Sequence, residues 1–396
     1  MRPFLVLFFV SLAGVHALER GAQNSLVREK RQAVVGYPKW TNNTLNYYFD
    51  RNLPFEFMAM FRDAIALIGD ATCIKFNYDN NADYKRAKSA YSPLLCRQRH
   101  CAVHCALCRL MCRLPIMTAN CAENYVRCAA FGVAVHELMH SLGIAHGQSR
   151  SDRDEYVVVE NSPDSNDDIQ ETMNLVPFDY GSVMLYERNE HRWPRDPEYN
   201  YTMGSLRVAI YDLILLNTYY QCNCDSFPKL ECQNGGYQNP ANCETCVCTD
   251  GFIGNLCEKM EGTVLNASTE WKFHSYYLQR KTGIEESTQP KQVYFLVTAP
   301  PGSIIEAQIT QLDGFFCQRT CDHNGVEIKY KTDRRITSPL VCCNDDDLWN
   351  KTRSTTNNPL VIVKYGENRG PELNFRYRYI PGNGTASGDD LNNEID

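Results

Sequence analysis

Ala129-Ala130-Phe131-Gly132-Val133-Ala134-Val135 runs directly into His136-Glu137-Leu138-Met139-His140-Ser141-Leu142-Gly143-Ile144-Ala145-His146. The apolar lead-in suits a buried helix, and a helix places His136 and His140 one turn apart on one face. Two imidazoles so placed can bind one zinc ion at about 2.0–2.1 Å each. Glu137 lies beside the first histidine, within reach of a water at that metal. Gly143 can adopt positive φ and end the helix. The chain then turns back and offers His146 as a third nitrogen ligand. Three protein ligands with one open position is the arrangement of a catalytic zinc, whereas a structural zinc is closed by four ligands, usually with thiolates. One zinc per chain is therefore expected. Five fixed residue types over this spacing arise by chance about once in tens of thousands of such chains. The competing readings are three unrelated histidines, or a scaffold that keeps the metal without catalysis.

Working outward, the chain has 396 residues, 43% of them hydrophobic and 22% charged, which excludes bulk disorder. The net charge of −7 argues against a nucleic-acid or anionic-membrane partner. Nineteen cysteines suit a secreted, disulfide-stapled protein, and the odd count leaves at least one without an intramolecular partner. Met1-Arg2-Pro3 followed by the apolar run Phe4 to Val15 reads as a secretory signal peptide, residues 1–17, cut after Ala17. No later run is long and apolar enough to anchor the chain in a membrane. Asn42, Asn200, Asn266, Asn350 and Asn383 open Asn-x-Ser/Thr sequons, the glycosylation acceptors of secreted chains. Arg28-Glu29-Lys30-Arg31 offers a basic cleavage site that would make residues 18–31 a short propeptide and Gln32 the new N-terminus.

The cysteines divide the remainder. Residues 32–222 form a long mixed segment. Residues 223–258 carry Cys224, Cys232, Cys243, Cys246, Cys248 and Cys257, too dense for an apolar core, so this part must be stapled. Residues 259–380 carry Cys317, Cys321, Cys342 and Cys343 and several strand-like runs, among them Val293 to Val297, Val326 to Tyr330 and Leu360 to Tyr365. Gly, Pro, Asn and Asp turns separate those runs, the pattern of an all-β sandwich. The Gly/Asn/Asp-rich stretch 381–396 reads as a disordered tail.

The zinc motif with its Gly143 turn resembles that of the metzincin peptidases, and Ser149-Arg150-Ser151-Asp152-Arg153-Asp154-Glu155-Tyr156 resembles the astacin branch. Asp179-Tyr180-Gly181-Ser182-Val183-Met184-Leu185-Tyr186 is similar to the astacin Met-turn. That resemblance implies an α+β catalytic domain with a twisted sheet and an active-site helix. It implies a role for Met184 beneath the zinc site and for Tyr186 as a swinging zinc ligand that stabilises the transition state. It also implies that Cys73 and Cys222 join the two ends of the domain. Cys128 resembles one end of a second bridge, with Cys108 at a plausible distance. Residues 223–258 resemble an EGF-like module and 259–380 a CUB domain, an order found in nematode astacins. No acidic residue directly precedes Cys224, so calcium is not expected there.

Four features depart from that pattern. Gly147 stands where the family has a glutamate that pairs with the mature N-terminus. Residues 18–31 lack the aspartate that blocks zinc in the family's zymogens. Leu185 replaces a Met-turn histidine. Residues 96–128 carry seven cysteines where the family places a substrate-pairing edge strand, and His104 among them fits no common zinc-finger spacing. The expected function is a secreted zinc endopeptidase acting on extracellular proteins or peptides, with Glu137 as general base. EGF-like and CUB parts would serve as possible partner sites. The alternative is a catalytically impaired extracellular binding protein.

Overall fold

A computed structural model of the chain describes residues 33–34, 39–49, 55–78, 92–93, 131–277, 291–344, 349–366 and 372–382. The expected signal peptide 1–17, propeptide 18–31, cysteine cluster 96–128 with Cys108 and Cys128, and sequon Asn383 lie outside the described residues, as does most of the 381–396 tail.

Among the described residues, the first segment is built on three α-helices and small sheets. Helix α1 (Phe55–Ala71) buries Met60, Ala64 and Ile68, which recur every fourth residue and so form one stripe. Helix α2 (Phe131–Ser141) is the expected motif helix. It buries Phe131, Gly132, Ala134 and Val135 together with His140, as a helix that is apolar on most sides must. Helix α3 (Ile210–Tyr220) ends at Gln221, which takes a left-handed conformation with φ 57°. A parallel sheet pairs Thr44–Tyr48 with Lys75–Tyr78 on one side and with Ser92–Pro93 on the other. Leu45, Leu138, Met139, Leu215 and Leu216 from these elements share one core with Met184. Ala33–Val34 pairs antiparallel with Thr172–Met173, and Ala33 also bridges to Ile144 next to the zinc motif.

Cys73 and Cys222 are bonded, tying the end of α1 to the end of α3 across a separation of 149 residues. The middle segment is held by Cys224–Cys243, Cys232–Cys246 and Cys248–Cys257 around short hairpins. The third segment is a two-sheet sandwich. One sheet runs in the order Thr263–Asn266, Gln292–Thr298, Leu360–Gly366, Asn324–Lys329, Leu340–Val341. The other runs Lys272–Tyr277, Glu372–Ile380, Ile304–Asp313, Arg353–Thr355. Alternation along Glu372–Ile380 sends Leu373, Phe375 and Tyr377 inward against Phe295, Val326 and Ile362 of the facing sheet. Cys317–Cys343 and Cys321–Cys342 form a nested pair of bridges at one end. The chain is therefore multidomain, with an α+β first segment, a small disulfide-rich segment and an all-β sandwich.

Of the sequons described, Asn42, Asn266 and Asn350 are exposed and Asn200 is half-buried.

Candidate metal centre and catalytic site

Helix α2 delivers His136 and His140 on one face, and the backbone then reverses at Gly143, whose φ is 92°. A residue with a Cβ is strained in that conformation, so the turn depends on glycine. The reversal brings His146 back to the helix. Its Nε2 lies 3.3 Å from Nε2 of His136 and 2.9 Å from Nε2 of His140.

The other ring nitrogens fix the tautomers. Nδ1 of His136 is 2.7 Å from the Val183 carbonyl, and Nδ1 of His140 is 2.8 Å from the Ile144 carbonyl. A carbonyl can only accept, so each Nδ1 carries a proton and each Nε2 keeps its lone pair for a metal. Burial, reinforced by neighbouring His136, holds the His140 pKa down at about 3, which keeps this imidazole neutral. The donor atoms of the three histidines lie within 4.8 Å of one another. Tetrahedral zinc with bonds of about 2.0–2.1 Å would put its nitrogens about 3.3 Å apart. The triad therefore fits one zinc ion.

Glu137 follows His136 on α2 and is partly exposed. The Tyr186 ring lies against the triad, its centroid 4.3 Å from that of His146 and 6.1 Å from that of His136. The Arg192 guanidinium covers it at 5.3 Å. Met184 is fully buried in the core that packs under α2. The spacing of motif and turn along the sequence thus becomes one cluster in space.

Two connections hold the third ligand's loop against the Met-turn. Gly147 N donates to the Met184 carbonyl at 2.8 Å, and Tyr186 N donates to Oε1 of Gln148 at 3.1 Å. Gln148 is wholly buried, and its Nε2 has no hydrogen-bond partner among the described residues. Sequence reasoning missed this glutamine, which carries no motif signal of its own. Two departures from the family pattern also prove to be neighbours. A Cβ built on Gly147 would lie 3.1 Å from Leu185 Cδ1, so Leu185 fills the space that a larger residue at 147 would need.

The Met-turn itself sits on two buried carboxylates that the sequence did not reveal. Asp212 of α3 accepts from the Ser182 hydroxyl at 2.5 Å, from Val183 N at 3.0 Å and from Ala209 N at 2.9 Å. Burial pushes its pKa up to about 7 against these bonds. Asp179 accepts from Gly181 N at 2.8 Å, and burial raises its pKa as well. The downstream loop is pinned by arginines. Arg150 forms a two-pronged pair with Asp152, and Arg153 donates to the Gln148 carbonyl at 2.9 Å. Arg192 pairs with buried Asp167.

Comparison with known proteins agrees with this geometry. Residues 33–221 match the model of the peptidase family described as Astacin. The zinc metalloproteinase nas-20 of Caenorhabditis elegans is 54% identical over 97% of this chain and 98% of its own. The zinc metalloproteinase nas-17 of the same nematode is 35% identical over 89% of this chain and 82% of its own. Among solved structures, the zinc-protease high choriolytic enzyme 1 of the medaka fish Oryzias latipes aligns over 47% of this chain and 94% of its own, at 24% identity and a TM-score of 0.34. With relatives this similar along nearly its whole length, the chain belongs to the astacin family and is a zinc metalloendopeptidase.

Proposed function

We propose that the chain is a secreted endopeptidase that hydrolyses extracellular proteins or peptides, with His136, His140 and His146 holding the metal and Glu137 as general base. The observation that carries this reading is the convergence of three histidine Nε2 atoms, with the Tyr186 ring against them and Glu137 next to His136 on α2. When bound, zinc supplies a Lewis acid that polarises a scissile carbonyl and acidifies water. Glu137 takes a proton from the attacking water and returns it to the leaving amine. The Tyr186 hydroxyl donates to the oxygen that gains charge as the carbonyl becomes tetrahedral, an interaction of a kind worth about 3–4 kcal/mol. Met184 packs the floor of the site, and Val183 and Ile144 carbonyls orient the ligands.

Secretion is supported by the six disulfides among the described residues, which need an oxidising compartment. No helix among the described residues is long and apolar enough to cross a membrane. Residues 223–258 are read as EGF-like and 259–380 as a CUB domain, surfaces through which protein partners could be engaged. The test is expression with residues 1–31 intact. Protein in the medium should start at Gln32 and cleave a peptide library, with loss of activity in chelator and recovery on adding zinc. Retention inside the cell, or cleavage indifferent to chelator, would contradict the proposal.

A further inference from the structure

The loop Thr332-Asp333-Arg334-Arg335-Ile336-Thr337-Ser338 connects two strands of the C-terminal sandwich, yet it docks on the Met-turn. Thr337 N and Thr337 Oγ1 both donate to Oδ2 of Asp179 at 3.2 Å. The other carboxylate oxygen of Asp179 accepts from Gly181 N at 2.8 Å, and its carbonyl accepts from Ser182 N at 3.1 Å. The next residue, Val183, presents the carbonyl that orients His136 at 2.7 Å. A short run of bonds therefore leads from the sandwich to a metal-site histidine.

The contact is closely fitted. Thr337 is 8% exposed and Asp179 5%. A Cβ built on Gly181 would come within 2.4 Å of Thr337 Cγ2, so only glycine lets the loop approach this far. The Tyr211 hydroxyl of α3 donates to Asp333, and Ile336 packs against the core of the first segment. A spacer, or a module that only captured substrate, would not need to be seated against the support of the metal site.

We propose that Thr337 of the C-terminal sandwich is a positioning residue for the metal centre: it holds Asp179, and through the Met-turn it fixes the Val183 carbonyl on His136. The sandwich is thereby part of the catalytic unit. This rests on the reading of His136 as a zinc ligand. It differs from an exosite role in a measurable way, because positioning acts on every substrate, including one too short to reach the sandwich.

The experiment uses the full secreted chain with Thr337→Val, which removes the hydroxyl donor at equal size, and Thr337→Ser, which keeps it. The substrate is a hexapeptide. One hydrogen bond to a buried carboxylate is worth about a factor of ten. Thr337→Val should therefore lower kcat about tenfold with KM within about twofold, and release zinc to a chelator about tenfold faster. Thr337→Ser should stay within about twofold of the parent. An unchanged kcat in Thr337→Val, or a rise in KM alone, overturns the proposal. If Thr337→Val is not secreted, Thr337→Cys, a poor donor of similar size, decides. It should lower kcat severalfold with KM within about twofold, and an unchanged kcat overturns the proposal. If the parent cleaves nothing, the peptidase reading fails, and zinc release still reads the coupling. Faster release from Thr337→Val supports the proposal and equal release overturns it.

Discussion

Arg207→Met should destabilise the protein well beyond the loss of one surface ion pair. Arg207 of the first segment donates to Glu327 of the sandwich at 2.8 Å and to Asp250 of the disulfide-rich segment at 3.1 Å. The Lys329 ammonium lies 3.2 Å from Glu327 and 3.4 Å from Asp250. The four side chains are 11%, 1%, 22% and 6% exposed for Arg207, Glu327, Asp250 and Lys329. Two cations and two anions from all three segments thus neutralise one another away from water. Methionine fills much of the arginine stem but leaves two carboxylates facing one ammonium. Breaking a buried pair on one side costs about 3–5 kcal/mol, because a charge is left uncompensated. Partial exposure of Asp250 favours the lower end. At about 2–4 °C per kcal/mol for a domain of a few hundred residues, the melting temperature should fall by about 6–12 °C. Scanning calorimetry of the full chain at pH 7 measures this. Arg207→Met/Glu327→Gln removes one charge of each sign and should recover most of the loss. Burial alone would raise the Asp250 carboxyl, but Lys329 and Arg207 hold it below its ordinary value. Its contribution is thus complete above about pH 4 and disappears as pH falls through the depressed value, so parent and variant should converge in acid. A variant melting with the parent at pH 7, or a double variant worse than the single, would show that the four charges do not compensate one another.

Gln148→Met should lower kcat about tenfold, since it removes the acceptor that holds Tyr186 N. Gln148→Glu keeps an acceptor oxygen and should retain more activity, and steady-state kinetics that rank the two equally would contradict this role. Tyr186→Phe should lower kcat more than it raises KM, and an unchanged kcat would exclude transition-state stabilisation by the hydroxyl. Asp212 titrates at about 7 in the fold because it is buried, above its ordinary value of 3.8. A raised carboxyl contributes stability below about pH 4 that is lost as pH rises to about 7. Asp212→Asn should therefore gain melting temperature relative to the parent between pH 5 and pH 8, and a gap that does not change with pH would rule out the shift.

The metal site was legible in the sequence because its chemistry dictates spacing. Two ligands must lie one helical turn apart, and a glycine must reverse the chain before the third. The sandwich was legible because its buried strands are runs of β-branched and aromatic residues, as in Leu360 to Tyr365. What holds these parts together was not. Asp179, Asp250 and Asp333 sit in turns, where an acidic residue ordinarily reads as solvated. Their partners lie 158, 79 and 122 residues away, a distance that no local pattern spans. Asp212 gives no hint on α3 that it supports a turn 30 residues earlier. The nesting of Cys317–Cys343 around Cys321–Cys342 was equally hidden, because four cysteines allow three pairings and spacing favours none.

If the histidine triad and Glu137 act as proposed, this chain is a working peptidase. The most direct test is zinc content and peptide cleavage of the secreted protein, measured beside Glu137→Ala. Both proteins should carry one zinc per chain, with cleavage in the parent and none above background in the variant. Equal cleavage by the two would contradict the role of Glu137, and a parent without zinc would contradict the site itself.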